Sequence, residues 1–162
     1  MKININVLVK ILIAIILLFG STSLFSQTND EKEMKKLIDE VKADKKQLIL
    51  TYIQLTEEQS KSFIPVYDEY QAELQNVNER LANLILDYAG YYNNNSVTDE
   101  AARKMLTEMI AIDNKETEIK GKYSQKLLDI IPAIKVTRYI QMENKIRAAI
   151  KYELAAQIPL VK

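Results

Sequence analysis

A long apolar repeat constrains this chain more than any other feature. From residue 63 onward, apolar and aromatic side chains recur at alternating spacings of four and three residues: Phe63, Tyr67, Tyr70, Leu74, Val77, Leu81, Leu84 and Tyr88. This heptad spacing is typical of a helix that buries one stripe against another helix. A helix with a single apolar stripe is not stable by itself. The repeat therefore predicts one long helix together with partner helices.

Three further stretches carry a helical pattern, and together they predict an all-α chain without a β-sheet. Glycine and proline number only 3 each, so the chain lacks the turn residues that many short strands need. The predicted architecture is a bent antiparallel hairpin of the second and third helices, embraced by the first and fourth. The four predicted helices cover residues 30–53, 57–89, 99–130 and 134–157.

Capping residues predict where these helices begin and end. Thr56 is the expected N-cap of the second helix, and Gln59 lies three residues later, where it completes a capping box. Gly90 is the expected end of that helix, because glycine is favoured just after a last helical turn. Thr98 is the expected N-cap of the third helix. Pro132 separates the third helix from the fourth.

The buried stripes of the other helices are less regular. In the first helix we expect Leu48 and Tyr52 on the buried side, with the charged run 42–46 interrupting the stripe. In the third helix, Glu116 occupies a stripe position that should be apolar. The apolar side of the fourth helix is expected to carry Met142, Ile146, Ile150 and Leu154.

Residues 1–26 have the organisation of a secretory signal peptide. Lys2 and Lys10 come before and at the start of an apolar run at 11–19, and small residues follow it. The run is much shorter than the roughly 20 residues that cross a hydrocarbon layer. We therefore expect a cleaved leader and a single mature domain, residues 27–162, exported to the periplasm. A leader retained as a membrane anchor is the alternative.

The composition limits the chemistry of an exported chain. The sequence has no cysteine and no histidine, which removes disulfides, the best transition-metal ligands and nucleophiles that need a histidine base. Basic and acidic residues balance at 22 each, and no basic stripe indicates a nucleic-acid surface. Carboxylates are plentiful, but no pair stands out as general acid and base. We expect no catalytic residue, no cofactor, no bound metal and no nucleic-acid partner.

Aromatic and methionine residues on the apolar stripes are the candidate binding residues. A tyrosine ring with a polar tip suits a half-buried surface, and methionine adapts to varied apolar partners. Core filling explains the same residues, and both interpretations stay open. The methionines are also soft-metal ligands in principle, although packing explains them better. The candidate client-binding face consists of Phe63, Tyr67, Tyr70, Met105, Met109, Tyr123, Tyr139 and Met142.

Glu143 lies beside the apolar side of the fourth helix, next to Met142. A carboxylate at such a position needs a basic partner. We expect a structural ion pair with Lys120 or Lys122 of the third helix. A role for Glu143 as a general acid is the alternative.

The segment Leu55-Thr56-Glu57-Glu58-Gln59 resembles the LTxxQ box of the Spy/CpxP family of periplasmic proteins. The resemblance implies a bent four-helix protomer that pairs as a cradle-shaped antiparallel homodimer. Leu55, Thr56 and Gln59 would then be structural residues at the corner between the first two helices. Segments 63–70, 139–146 and 153–160 are similar to the branch of this family found in Bacteroidetes-type bacteria.

This resemblance implies a function without enzymatic activity. The chain is expected to be an ATP-independent chaperone or envelope-stress protein that shields apolar segments of unfolded or stressed client proteins. The alternative is a regulatory sensor of envelope stress that acts on a sensor kinase or on a sigma/anti-sigma system. A metal-responsive periplasmic sensor is a further alternative, which the lack of histidine and cysteine disfavours.

Overall fold

The described part of the protein consists of helices joined by short turns. The computed structural model describes residues 44–161, and no strand occurs among them. The predicted all-α class is confirmed. The helices are α1 at 44–53, α2 at Glu57–Asn93, α3 at Asp99–Leu128 and α4 at Ala133–Gln157.

Two predictions concern residues outside this range. The leader at 1–26 and the start of the first helix at residue 30 lie outside the described residues, so both stay predictions. Within residues 44–161, no helix combines the length and apolar character that a membrane crossing requires.

The predicted capping box closes the start of α2. The Gln59 N–H donates to Thr56 Oγ1 at 3.2 Å, and the Thr56 N–H donates to Gln59 Oε1 at 3.1 Å. These bonds satisfy donors that a helix start leaves without a partner. Gln54, on the α1 side of the corner, has a φ of 50°, a left-handed conformation that is uncommon for a residue other than glycine. The chain therefore turns sharply between α1 and α2.

α2 continues beyond Gly90, so the prediction that it ends there is wrong. The helix runs to Asn93, and Tyr92 in its last turn is buried. Ala89 and Tyr92 pack in a small apolar cluster with Leu154 of α4. Burying a tyrosine outweighs the roughly 1 kcal/mol that glycine costs inside a helix. Elsewhere the ends differ by little, since α3 stops at Leu128 and α4 begins at Ala133.

The main core lies where α1 and α4 pack against the α2–α3 hairpin. α2 and α3 run antiparallel, and ion pairs along their length join Arg80 to Glu108 and Lys126 to Glu69. All four helices and the α3–α4 connection contribute to the core: Ile49, Ile53, Phe63, Tyr67, Tyr70, Leu74, Val77, Ile112, Ile119, Tyr123, Leu127, Ile131, Val136 and Tyr139.

The buried stripe of α2 changes register near residue 78. Up to Val77 the predicted positions from Phe63 onward are buried, and beyond them Asn78, Ala82 and Ile85 are buried instead. A straight helix drifts by about 20° per heptad relative to a perfect 3.5-residue repeat. Consecutive steps of four residues compensate for this drift. The later predicted positions are only partly buried: Leu81, Leu84 and Tyr88.

α1 buries a different face from the predicted one. Ile49 and Ile53 are fully buried, whereas Leu48 and Tyr52 are 47% and 59% exposed. Lys45, one turn before Ile49, is also buried. A charged residue therefore holds a stripe position, and a search for apolar residues alone places the stripe on the wrong side of the helix.

Replacing Gly90 with alanine tests the continuity of α2. We expect Gly90→Ala to raise the free energy of unfolding by about 1 kcal/mol, because alanine is the better helix former and an added Cβ would meet no atom within 4 Å. Gly121→Ala in α3 is the matched control, since its Cβ also meets nothing. Urea unfolding measures both. If Gly90 were a left-handed residue at a helix end, Gly90→Ala alone would lose stability. Such a result would contradict a continuous α2.

Candidate functional site

The structure divides the predicted client-binding face into two groups. The aromatic members are buried in the core rather than exposed on an open surface, as the core-filling interpretation of these residues expects. Met105 and Met142 are half-buried, and Met109 is 46% exposed. The buried members are Phe63, Tyr67, Tyr70, Tyr123 and Tyr139.

Four of these aromatic side chains form a compact group, here called the aromatic trough: Phe63, Tyr67 and Tyr70 of α2 with Tyr139 of α4. Tyr139 is at its centre, with ring centroids 5.2 Å from Phe63, 5.9 Å from Tyr67 and 6.1 Å from Tyr70. The Phe63–Tyr139 pair is edge to face, a geometry that aromatic rings favour. Lys46 of α1 places its ammonium 5.6 Å from the Tyr67 ring centroid. The trough therefore lies next to α1.

Glu143 lies beside the trough and has no exposure to solvent. Its Oε2 accepts a hydrogen bond from Lys45 Nζ at 3.1 Å, and its Oε1 accepts one from Gln71 Nε2 at 3.1 Å. Lys45 Nζ also donates to Gln71 Oε1 at 2.8 Å, and Gln71 Nε2 donates to the Tyr139 hydroxyl at 3.2 Å. These four side chains, here called the buried polar cluster, connect α1, α2 and α4.

The predicted partners of Glu143 are wrong. Lys45 of α1 forms the ion pair, whereas Lys122 bonds to Glu73 on α2. Lys45 was missed because the sequence places it in a charged run, where each lysine looks solvent-exposed. Its spacing of four from Ile49 was the signal that identifies it as a stripe residue.

Burial perturbs the titration of two members of the buried polar cluster, Lys45 and Tyr139. Loss of hydration lowers the pKa of Lys45 below its ordinary value, and the adjacent Glu143 carboxylate opposes this effect. Burial also raises the pKa of Tyr139 well above its ordinary value, and the Glu143 charge acts in the same direction.

A second buried ion pair lies further along α4. Arg147 Nε donates to Glu116 Oε1 at 2.7 Å, and Arg147 Nη2 reaches Asn78 Oδ1 at 3.4 Å. Burial alone would raise the pKa of Glu116, but the bond and charge of Arg147, with the charge of Lys151, outweigh it and the pKa is lowered. Glu116, the polar residue on the α3 stripe, is therefore explained by a partner on α4.

The first half of α3 presents an open apolar surface. None of its residues from Asp99 to 111 is buried. Leu106, Met109 and Ile110 are 53%, 46% and 51% exposed, and their spacing of three and four places them on one side of the helix. We call these three residues the α3 patch.

A shallow groove between α2 and α3 adjoins this half of α3. Its lining mixes apolar side chains, Leu84, Tyr91 and Met105, with charged ones, among them the Arg80–Glu108 pair. The groove volume of about 250 Å³ is below the roughly 300–1,000 Å³ of small-molecule pockets. It fits one or two side chains of a larger partner. Among the described residues, no group of three or more acidic side chains is placed to hold a metal ion.

Comparison of the chain with protein-family models, with curated proteins and with solved structures finds no match.

The two tyrosines at the trough predict opposite responses to removal of a hydroxyl. Tyr139→Phe should cost about 1 kcal/mol because the Gln71 bond is lost. Tyr70→Phe should be neutral or stabilising, because among the described residues the buried Tyr70 hydroxyl has no hydrogen-bond partner. Urea unfolding at neutral pH measures both. Equal losses in the two variants would contradict these assignments.

The Tyr70→Phe variant also tests how the free energy of unfolding depends on pH. Burial, followed by the charge of Glu143, raises the pKa of Tyr70 above its ordinary value of 10.0, so above pH 10 the folded chain keeps a proton that the unfolded chain loses. The stability that this tyrosine contributes is complete below pH 10 and is lost as the pH rises beyond it. Tyr70→Phe should therefore make the alkaline loss of stability shallower.

Proposed function

We propose that this chain is an exported, non-enzymatic binding protein related to the Spy/CpxP family, which shields apolar segments of unfolded client proteins without ATP. The observation that carries the proposal is the α3 patch. Three large apolar side chains on one side of a helix are about half exposed there. Contiguous exposed apolar surface of this kind marks interaction sites.

Two features support the relationship to the Spy/CpxP family. Leu55, Thr56 and Gln59 stand at the start of the longest described helix, where Thr56 and Gln59 form a capping box. α2 and α3 form a hairpin and α4 packs against it, as expected of the family protomer. We extend the proposal to periplasmic export and to a cradle-shaped antiparallel homodimer, for which the resemblance is the ground.

The size of the α3 patch favours weak, reversible binding. Full burial of one leucine, isoleucine or methionine side chain contributes roughly 1.5–3 kcal/mol, and about half of each side chain in the patch is still exposed. Covering all three therefore contributes only a few kcal/mol, whereas micromolar affinity needs about 8 kcal/mol. A single patch binds and releases without an energy source. Stronger retention would require several contacts on one client.

Suppression of client aggregation tests the proposal. The mature chain, added to a chemically denatured, unrelated protein at dilution, should reduce light scattering. The double variant Leu106→Asn/Ile110→Asn should lose most of this effect, because it makes the patch polar without replacing a buried side chain. Sedimentation of the mature chain alone tests the dimer, and a monomer would contradict it.

Ile134→Asn is the matched control. Ile134 is 69% exposed and lies at the start of α4, at the opposite end of α3 from the α3 patch. It should leave suppression unchanged. Equal loss in both variants would contradict the assignment to the patch. No suppression by the wild-type chain would remove the chaperone proposal and favour the regulatory sensor of envelope stress.

A further inference from the structure

A binding surface distinct from the α3 patch lies under α1. We propose that the aromatic trough, with Glu143, is a recognition site for amphipathic helical segments, and that α1 occupies this site as an internal copy of such a partner. The chemistry of α1 defines the partner. It is a helix with a lysine one turn before two apolar residues that are themselves one turn apart, as in Lys45, Ile49 and Ile53.

The charge of Glu143 favours a bound helix that has a lysine at the position of Lys45. Glu143 is on α4 and Gln71 is on α2, so release of α1 removes neither side chain. Among the described residues, each Glu143 oxygen accepts one hydrogen bond in the closed site, and the bond to Oε2 comes from Lys45 of α1. A segment with an apolar residue at that position would leave a buried carboxylate without a cation, which is strongly unfavourable. The site therefore discriminates among apolar helices.

Two basic residues of α4 recognise the carboxyl end of the bound helix. Lys135 Nζ donates to the backbone oxygens of Ile53 and Gln54, each at 2.8 Å, and Arg138 Nη1 donates to the Tyr52 oxygen at 3.3 Å. The last carbonyls of a helix lack internal partners and carry the negative end of its dipole. These bonds involve only backbone atoms of the occupant, so they accept any helix that ends at this point.

α1 is attached in a way that permits its release. The sharp turn at Gln54 separates it from α2, and the ion pair between Lys46 and Asp68 is partly exposed. The α2–α3 hairpin has its own ion pairs, such as Lys126 with Glu69. Release of α1 therefore leaves the hairpin paired, and local opening of such a unit is cheaper than unfolding the whole chain.

A peptide with the sequence of residues 44–56 tests the site in the full mature chain. We expect the fluorescein-labelled peptide to bind a Lys45→Met chain at least about tenfold more tightly than the wild-type chain, because α1 no longer competes well for Glu143. Lys61→Met is the matched control, since Lys61 pairs with Glu57 on α2 with both side chains largely exposed, and it should behave like the wild type. Fluorescence anisotropy measures all three affinities.

The peptide itself carries the test of charge recognition. A peptide with Lys45→Met should bind the Lys45→Met chain about tenfold more weakly than the unmodified peptide. Equal binding of the two peptides would overturn the role of Glu143. Binding that disappears when Leu106→Asn/Ile110→Asn is added to the Lys45→Met chain would place the peptide on the α3 patch and overturn the trough site. Neither result depends on aggregation suppression, so the two proposals fail separately.

Hydrogen exchange of the wild-type chain tests release without any substitution, which covers the case of a Lys45→Met chain that does not fold. Backbone amides of residues 50–53 should exchange about tenfold or more faster than those of residues 67–77 in the middle of α2. Equal protection of the two segments would mean that α1 opens only when the chain unfolds, and would overturn the proposal.

Discussion

One buried carboxylate determines how α1, α2 and α4 meet. Glu143 has no contact with water, and a charge in that position is tolerated only with a cation and hydrogen-bond donors around it. Lys45 supplies the cation and Gln71 a donor. A buried ion pair adds little net stability compared with an apolar replacement, but loss of one partner is costly. The pair therefore specifies which face of α1 docks more than it stabilises the fold.

The molecule divides into a closed half and an open half. Around Glu143, aromatic rings and a hydrogen-bonded cluster fill the space between three helices. At the other end of the hairpin, α4 covers α2 through Leu154, and the first half of α3 keeps Leu106 and Ile110 half exposed. The proposed client binding uses the open half, and the proposed helix recognition uses the closed half once α1 leaves.

Sequence patterns predicted the elements well and the buried polar residues poorly. The Thr56–Gln59 capping box and the helical class follow from local chemistry, which acts within one turn of the chain. The prediction that α2 ends at Gly90 is wrong because Tyr92 is buried in a cluster with Leu154 of α4. This is a tertiary effect, which local helix propensity does not include.

The candidate site shows the same division. Glu143 and Glu116 stand out because each interrupts an apolar side of its helix, so the need for a partner was visible. The sequence does not identify the partner of Glu143, since Lys45 is 98 residues away from it in the chain. The five aromatic residues fit a core or a surface equally well by spacing, and the packing of α1 and α4 on the hairpin decides between them.

The coupling between Lys45 and Glu143 is the most direct test of their role. Urea unfolding of the wild type, Lys45→Met, Glu143→Gln and the double variant gives the coupling free energy, and the same cycle on Lys46 and Asp68 is the reference. We expect about 2 kcal/mol or more for the buried pair, against less than about 1 kcal/mol for the exposed pair. Equal coupling in the two cycles would contradict the view that Glu143 determines how α1 docks.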